Sequence, residues 1–266
     1  MQKDKSHFLS VVVPTYRDEK IILKSLQRLR ESLDKIRFNY EVIVVVDGRI
    51  DKTFSEAKKI RSDNFKITGY KNNRGKGFAV RYGMARTKGD LVAFIDSGME
   101  INSEGLPLLI EHMLWYDSDI IVGSVRHSAS KVFDYPLKRK IYSRGYHTLI
   151  RWLFGLRITD SQRGLKVFKR KVLEKVLPRL LVKQFAFDIE MLSVAKSLGF
   201  DKIHDGPVEM DAGKLRLSSV NVGSVFSMLK DTLAVFYRLK ILNYYASDNK
   251  RRWEYDPELD LRINLG

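Results

Sequence analysis

Residues 1–95 alternate short apolar runs with stretches whose apolar positions recur every three or four residues. A short apolar run ended by a turn residue indicates a buried strand, whereas the three-to-four spacing indicates a helix that packs by one face. The predicted strands are Phe8–Val13, Glu41–Val46, Lys66–Tyr70 and Leu91–Ile95, and the predicted helices are Glu19–Leu33, Thr53–Arg61 and Phe78–Thr87. This alternation predicts an α/β protein with a Rossmann-like, mostly parallel sheet and helices on both faces.

Polar residues follow three of these strands directly. Asp47 comes at the end of the second strand, Asp96 at the end of the fourth, and a polar loop containing Tyr16 follows the first. In open parallel sheets, ligands bind outside the carboxyl ends of the strands. We therefore expect the three loops to share one crevice. For Asp47 taken alone, helix capping beside Gly48 is the alternative.

The pattern changes after Gly123, where a basic segment extends from Arg126 to Arg144. The next predicted elements are helices at Tyr146–Phe154, Val172–Leu180 and Ile189–Leu198 and a strand at Leu165–Phe168. A long amphipathic helical region is predicted from Ser218 to Tyr245, and the charged tail from Ala246 onward is expected to be poorly ordered. The chain is accordingly divided into an α/β domain at 1–217 and a C-terminal amphipathic helical segment with a charged tail at 218–266.

Composition narrows the possible partners. The 266 residues, 44% of them hydrophobic, can bury a sizeable core. A formal net charge of +16 predicts a negative partner such as nucleic acid, an anionic membrane or a phosphorylated substrate. The absence of cysteine excludes disulfides and cysteine-ligated zinc. Without a signal-like segment or an apolar run of about 18 residues, we expect a cytoplasmic protein that does not span a membrane.

Eight short motifs occur in the order found in one enzyme family. They are Val13–Glu19, Val45–Gly48 with Asp51 and Thr53, Asn73–Gly77, Gly89–Asp96, Gly123–Arg126, Lys138–Arg144, Asp160–Gly164 and Phe185–Asp188. From Leu9 to Arg216 the chain thus resembles glycosyltransferase family two, and within it the polyprenyl-phosphate glycosyltransferases that make dolichyl-phosphate mannose and dolichyl-phosphate glucose. The resemblance implies a GT-A catalytic domain at 1–217 and a nucleotide-sugar donor, with GDP-mannose favoured over UDP-glucose on family frequency.

The resemblance also implies which residues bind the donor and its metal ion. The implied donor-binding residues are Pro14, Tyr16, Glu19, Asp47, Lys76, Asp96, Ser97, Lys214 and Arg216, with plain packing as the alternative for Tyr16. Family members usually carry Asp-x-Asp after the fourth strand, but Gly98 replaces the second aspartate here. We expect Asp96 and Glu100 to share Mg²⁺ or Mn²⁺, because carboxylates are hard oxygen ligands. The departure leaves open a non-catalytic protein that only binds nucleotide-sugars.

The basic segment lies where family members hold the phosphate of a lipid acceptor. The candidate phosphate ligands are Arg126, Arg139, Lys140 and Arg144, because cationic side chains, guanidinium above all, pair with phosphate oxygens. A phosphate acceptor is already anionic near neutral pH, so no strong base is needed and direct displacement predicts inversion at the sugar. The implied catalytic residues are Asp96, Asp160 and Asp188. A hydroxyl acceptor would instead require Asp160 or Asp188 as the base, and helix capping is the alternative for Asp188.

The expected partners are a nucleotide-sugar, a polyprenyl phosphate and a membrane surface. The C-terminal helical region carries an apolar stripe made of Val222, Val225, Phe226, Leu229, Leu233, Phe236, Tyr237 and Ile241. Such a helix can lie at a membrane interface, which predicts peripheral attachment to the cytosolic face. Packing of the stripe on the core and docking onto a membrane-anchoring subunit are the alternatives. Nucleic acid is not expected, because no binding motif or aromatic platform accompanies the charge.

Overall fold

A computed structural model describes residues 4–133, 137–161, 163–184, 186–211, 222–249 and 251–265. Its strands are β1 (Asp4–Thr15), β2 (Phe38–Asp47), β3 (Phe65–Tyr70), β4 (Leu91–Ile95), β5 (Ile120–Ser124), β6 (Lys131–Phe133), β7 (Leu165–Lys169), β8 (Ile203–Pro207), β9 (Glu209–Asp211), β10 (Arg252–Asp256) and β11 (Leu261–Leu265). Seven of them form the central sheet in the order β3-β2-β1-β4-β7-β5-β8. Within this sheet β7 runs antiparallel to both neighbours and the other pairs are parallel, so the mostly parallel sheet is confirmed.

The middle of the sheet explains the apolar runs of the sequence. In β1, Val11 lies opposite Val42 of β2 on one side and Ala93 of β4 on the other. Central strands of a parallel sheet are covered on both faces, so they need apolar side chains at successive positions. Pro14 fits this strand because the pairing of β1 with β4 ends at Val12, which leaves no ladder bond for Pro14 to break on that side.

Helices cover both faces of the sheet, as the sequence predicts. They are α1 (Ile22–Asp34), α2 (Thr53–Ala57), α3 (Lys76–Met84), α4 (Gly105–Trp115), α5 (Leu137–Phe154), α6 (Arg170–Val176), α7 (Phe187–Ser197) and α8 (Val222–Phe236), which continues as a π-helical turn at Tyr237–Ile241. One apolar core contains residues of α1, α2 and α4, and the other contains residues of α3 and α5 to α8. The helices α4 and α8 therefore lie on opposite faces.

Apolar periodicity in the sequence marks α1 but not α4. In α1 the predicted apolar positions Ile22, Leu26, Leu29 and Leu33 are all inaccessible to solvent. The helix α4 is not among the predicted elements, because its apolar residues run almost continuously and show no clear helical spacing. Its inner face is nevertheless fully packed, with Leu106, Leu109, Ile110 and Met113 buried.

The C-terminal tail differs from the expectation of poor order. Strands β10 and β11 pair as an antiparallel hairpin, in which Trp253 lies opposite Asn264. Leu259, in the connecting turn, is only 1% exposed, and Leu261 packs against the second core. Each strand has only five residues, and four of the ten are charged, so the alternation is too short to be recognised in the sequence.

Candidate active site at the carboxyl edge of the sheet

The loops after β1 and β4 are joined by the carboxylate of Asp18. Thr15 donates a hydrogen bond to this carboxylate at 2.6 Å, and the hydroxyl of Ser97 donates another. The backbone N–H of Asp18 donates to the hydroxyl oxygen of Thr53 at 2.7 Å, which brings in the first turn of α2. Asp18 thus fixes three strand-end loops, including the predicted donor residue Ser97. Sequence reasoning missed Asp18, although its spacing from Thr15 resembles a capping box.

Asp47 shapes the loop that leads into α3. Its buried carboxylate accepts hydrogen bonds from the side-chain amide of Asn73 at 2.8 Å and from the backbone N–H groups of Arg74 at 2.7 Å and Gly75 at 3.0 Å. Gly75 has a φ of 99°, in the left-handed region that other residues avoid. The residue that caps α2 is Lys52, so Asp47 does not have the capping role considered as its alternative.

Lys76, the first residue of α3, forms an ion pair with Asp96. Its Nζ lies 2.6 Å from Oδ1 and 2.8 Å from Oδ2 of Asp96. Although burial disfavours the ammonium, the carboxylates of Asp96 and Asp188 raise the pKa of Lys76 above its usual value. Gly164 lies so close behind Asp96 that a side chain there would overlap the carboxylate. Lys76 is therefore a fixed positive charge beside the predicted metal ligand.

A second ion pair, between Lys166 and Asp188, is buried beneath the first. Nζ of Lys166 lies 2.6 Å from Oδ1 of Asp188, and the two residues are 0% and 2% exposed. Burial raises the pKa of Asp188, and burial lowers the pKa of Lys166. Asp188 lies inside α7, which is capped by Ala186, so it is not the helix cap considered as an alternative. Sequence reasoning missed Lys166, although a lysine within the apolar run of β7 was a visible signal.

Asp96 and Glu100 line one small cavity together with Arg163. The cavity has a volume of about 60 Å³ and its remaining walls are Ile95, Ile101 and Gly164. Two carboxylates that line the same cavity suit a Mg²⁺ or Mn²⁺ ion, because these ions prefer hard oxygen ligands. Among the described residues there is no group of three His, Cys, Asp or Glu that could hold a metal ion, so further ligands would have to come from water or a bound diphosphate.

Asp160 lies among basic groups and pairs with Arg163, which lines this cavity. It is 7% exposed and accepts a hydrogen bond from Nε of Arg163 at 2.8 Å. Burial and the nearby charge of Arg126 lower the pKa of His147 in α5, whereas Asp160 acts in the opposite direction. Arg144 is exposed on the same helix. Asp160, Arg163, His147 and Arg126 thus form a cluster, called here the basic cluster.

The remaining predicted residues are placed less centrally. Tyr16 is 39% exposed in the loop after β1, which argues against plain packing in the core. Glu19 accepts a hydrogen bond from the backbone N–H of Lys52 at 3.1 Å and so connects two loops. Pro14 is buried within β1. The side chains of Arg139 and Lys140 and the whole of Lys214 and Arg216 lie outside the described residues.

These contacts form one continuous row along the carboxyl edge of the sheet. The loop held by Asp47 leads to Lys76, Lys76 pairs with Asp96, and Asp96 lines a cavity with Arg163 of the basic cluster. Fixed cations beside strand-end carboxylates suit an anionic ligand whose charge must be neutralised. Fold and site together define a nucleotide-binding α/β transferase of the GT-A type.

Comparison with known proteins gives the family. Residues 10–177 match the family described as "Glycosyl transferase family 2". The chain belongs to this family and is a nucleotide-sugar-dependent glycosyltransferase, as the sequence motifs implied. A dolichyl-phosphate beta-glucosyltransferase of Drosophila melanogaster is 34% identical over 206 residues, which cover 71% of this chain and 63% of the fly protein. The chain thus spans less than two thirds of that relative.

Two further relatives with the same description match more of their own length. The protein of Saccharomyces cerevisiae is 29% identical over 273 residues, covering 94% of this chain and 80% of the yeast protein. The human protein is 31% identical over 254 residues, covering 88% of this chain and 76% of its own. The chain is similar to both throughout most of its length.

Solved structures confirm the fold. Glucosyl-3-phosphoglycerate synthase from Mycobacterium tuberculosis, in complex with Mn²⁺, UDP and phosphoglyceric acid, superimposes with a TM-score of 0.65. The match covers 98% of this chain and 87% of that protein at 19% identity. At this identity the likeness establishes the GT-A type of fold and nothing more specific.

Proposed function

We propose that this chain transfers glucose from UDP-glucose to a polyprenyl phosphate of the dolichyl type, with inversion to a β-linked product. The observation that carries the proposal is the adjacency of the basic cluster to the Lys76–Asp96 pair, which provides two anion sites along one edge. The relatives are named for dolichyl phosphate and β-linked glucose. Their names favour glucose over the mannose expected from family frequency.

The donor half of the site suits a departing diphosphate. A divalent cation bound between Asp96 and Glu100 would neutralise negative charge as the nucleotide leaves, and the bacterial relative of known structure binds Mn²⁺ with UDP. Lys76 supplies a positive charge of its own at the start of α3. The loop held by Asp47 brings the nucleoside against β2 and β3.

The acceptor half of the site suits a phosphate. Arg126 and Arg163 offer guanidinium groups that orient phosphate oxygens, and His147 of α5 lies near both Arg126 and Asp160. One acceptor oxygen forms the new bond to the anomeric carbon while the bond from that carbon to the diphosphate oxygen breaks. The acceptor phosphate is already ionised near neutral pH, so no base is needed. The protein accelerates the reaction by positioning the two substrates and neutralising their charge.

A hydroxyl acceptor is less well supported, because it would need a free general base. Asp188 is 2% exposed and its carboxylate accepts a hydrogen bond from Lys166 at 2.6 Å. Asp160 is similarly engaged with Arg163. A general base must reach the proton that it removes, which a buried or already paired carboxylate does not do, whereas a phosphate nucleophile needs no base.

We propose that the chain attaches peripherally to the cytosolic leaflet of a membrane, and the exposed apolar surface of α8 supports the membrane contact. Its apolar stripe is divided: Phe236 packs against the core, whereas Phe226, Leu233, Tyr237 and Ile241 are exposed, as is the neighbouring Leu242. Trp152 of the neighbouring α5 is 81% exposed. Lys230 and Lys240 stand beside the stripe and are attracted to anionic lipid. In the described part of the chain, no helix is both long and apolar enough to cross a bilayer.

Transfer is tested with radiolabelled UDP-glucose and GDP-mannose, dolichyl phosphate in detergent, and Mg²⁺ or Mn²⁺. We expect glucose to enter the lipid extract, from which mild acid releases it, and mannose not to. Asp96→Asn is the matched inactive control, because it keeps the size of the side chain but removes its charge. Labelling of the lipid by mannose alone, or of water-soluble products alone, would contradict the proposal.

Membrane attachment is tested by sedimentation with vesicles containing anionic lipid. Leu233→Glu and Ile241→Glu should each reduce the bound fraction, because they place a charge on the exposed stripe of α8. Leu108→Glu is the control: Leu108 is 45% exposed on α4, which packs on the opposite face of the sheet. Equal losses in all three variants would refute the assignment of this surface.

A further inference from the structure

The C-terminal hairpin touches the loop that Asp47 holds. Glu258, in the turn between β10 and β11, forms an ion pair with the guanidinium of Arg74. The same guanidinium lies over the ring of Phe78, with Cζ 3.8 Å from the ring centroid. Arg86, beyond the other end of α3, donates a hydrogen bond to the carbonyl oxygen of Glu258 at 2.8 Å. One residue of the hairpin is therefore held by arginines from both ends of α3.

The turn that presents Glu258 is itself fixed. Oδ1 of Asp256 accepts hydrogen bonds from the backbone N–H groups of Glu258 at 2.9 Å and Leu259 at 3.0 Å. Leu259 is 1% exposed, so an apolar side chain anchors the turn to the body of the protein. The backbone that carries Glu258 is therefore held in place, and the side chain reaches Arg74 from a fixed position.

A second contact path runs from the C-terminal segment to the same helix end. The hydroxyl of Tyr245 donates to the buried carboxylate of Glu190 at 2.7 Å, and Glu190 also accepts from the backbone N–H of Val182 at 2.9 Å. The next carbonyl, that of Lys183, accepts from the backbone N–H of Gly77 at 2.8 Å. Both paths end beside Lys76.

We propose that the C-terminal segment from Tyr245 to Leu259 is a positioning element for the nucleoside diphosphate, and that Glu258 is its principal positioning residue. This inference rests on the proposed function, in which the loop before α3 and Lys76 bind the donor. By holding Arg74, Glu258 keeps the loop in its binding conformation before the donor arrives. A loop that must be ordered during binding lowers affinity without changing the chemical step.

The test uses the full chain and measures UDP binding by titration calorimetry together with donor and lipid kinetics. Glu258→Ala and Glu258→Gln should weaken UDP binding and raise the donor KM about tenfold, while kcat and the lipid KM change less than about twofold. Glu254→Gln is the matched control, because Glu254 lies in the same hairpin but pairs with the exposed Arg252. Pairing Arg74→Glu with Glu258→Arg should recover part of the affinity that each change loses alone.

The outcomes separate the two proposals. The inference is overturned if the wild-type chain binds UDP and both Glu258 variants bind it equally well, if Glu254→Gln has the same effect, or if the loss falls on the lipid KM. If Glu258→Ala does not fold, Glu258→Gln and the charge-exchanged pair decide. If the wild-type chain binds neither UDP nor GDP, the proposed function is wrong, and this inference is wrong as well because it depends on that function.

Discussion

Lys166→Met would leave a buried carboxylate without its cation. Lys166 is inaccessible to solvent, and its Nζ lies 2.6 Å from Oδ1 of Asp188. It also donates to the carbonyl oxygen of Arg163 at 2.6 Å, so the methionine removes two hydrogen bonds from the interior. Breaking one side of a buried pair typically costs about 3–5 kcal/mol. We expect the free energy of unfolding at neutral pH to fall by about that amount.

The loss should depend on pH. Burial already raises the pKa of Asp188, and removing Lys166 deletes a charge that lowers it. A carboxyl whose folded pKa exceeds its unfolded value of about 3.9 stabilises the fold fully below that value, and this stabilisation disappears as the pH rises through the folded pKa. Lys166→Met should therefore be least harmful near about pH 4 and increasingly harmful toward about pH 8.

Urea unfolding followed by circular dichroism at several pH values measures this effect. Adding Asp188→Leu to Lys166→Met should regain most of the loss, because apolar replacement of a whole buried pair is often neutral. Lys202→Met is the control: Lys202 is exposed and pairs with exposed Asp117, so its loss should leave the unfolding midpoint unchanged. The reasoning fails if Lys166→Met costs less than about 1 kcal/mol at neutral pH, or if the double variant is the less stable one.

Three further changes probe the site itself. Gly164→Ala should lower transfer by at least about 100-fold, because the added methyl group displaces the Asp96 carboxylate. The midpoint of urea unfolding should change little. Normal turnover would contradict this prediction. Gly98→Asp should tighten Mn²⁺ binding, measured by calorimetry, because the new carboxylate adds a metal ligand. A Cβ at this position meets only Cγ of Glu100, at 3.9 Å, so the side chain fits. An unchanged affinity for Mn²⁺ would count against the metal site. Arg126→Ala should raise the KM for dolichyl phosphate about tenfold while the affinity for UDP stays constant. Weaker UDP binding with an unchanged lipid KM would show that Arg126 does not belong to the acceptor site.

Local patterns were enough to predict most of the sheet. The apolar runs of β1, β2 and β4 end in polar loops, and those ends lie together because parallel strands finish at one edge. Asp47, Lys76 and Asp96 could be chosen as candidates for that reason and by resemblance. The hairpin β10–β11 and helix α4 were missed, since their stability comes from burial of Leu259 and Leu106 against distant parts of the chain.

The ion-pair partners of the candidate residues could not be predicted from the sequence. Lys166 and Asp188 are separated by 22 positions, and Arg74 and Glu258 by 184. No local pattern links such residues, because ion pairs form wherever the packed elements bring opposite charges together. By itself the sequence determined an α/β chain of glycosyl transferase family 2 with its chemistry at strand ends. The tertiary structure alone decided which charges are buried as pairs and that the C-terminal tail folds back beside the donor loop, because both depend on contacts made only after the sheet is assembled.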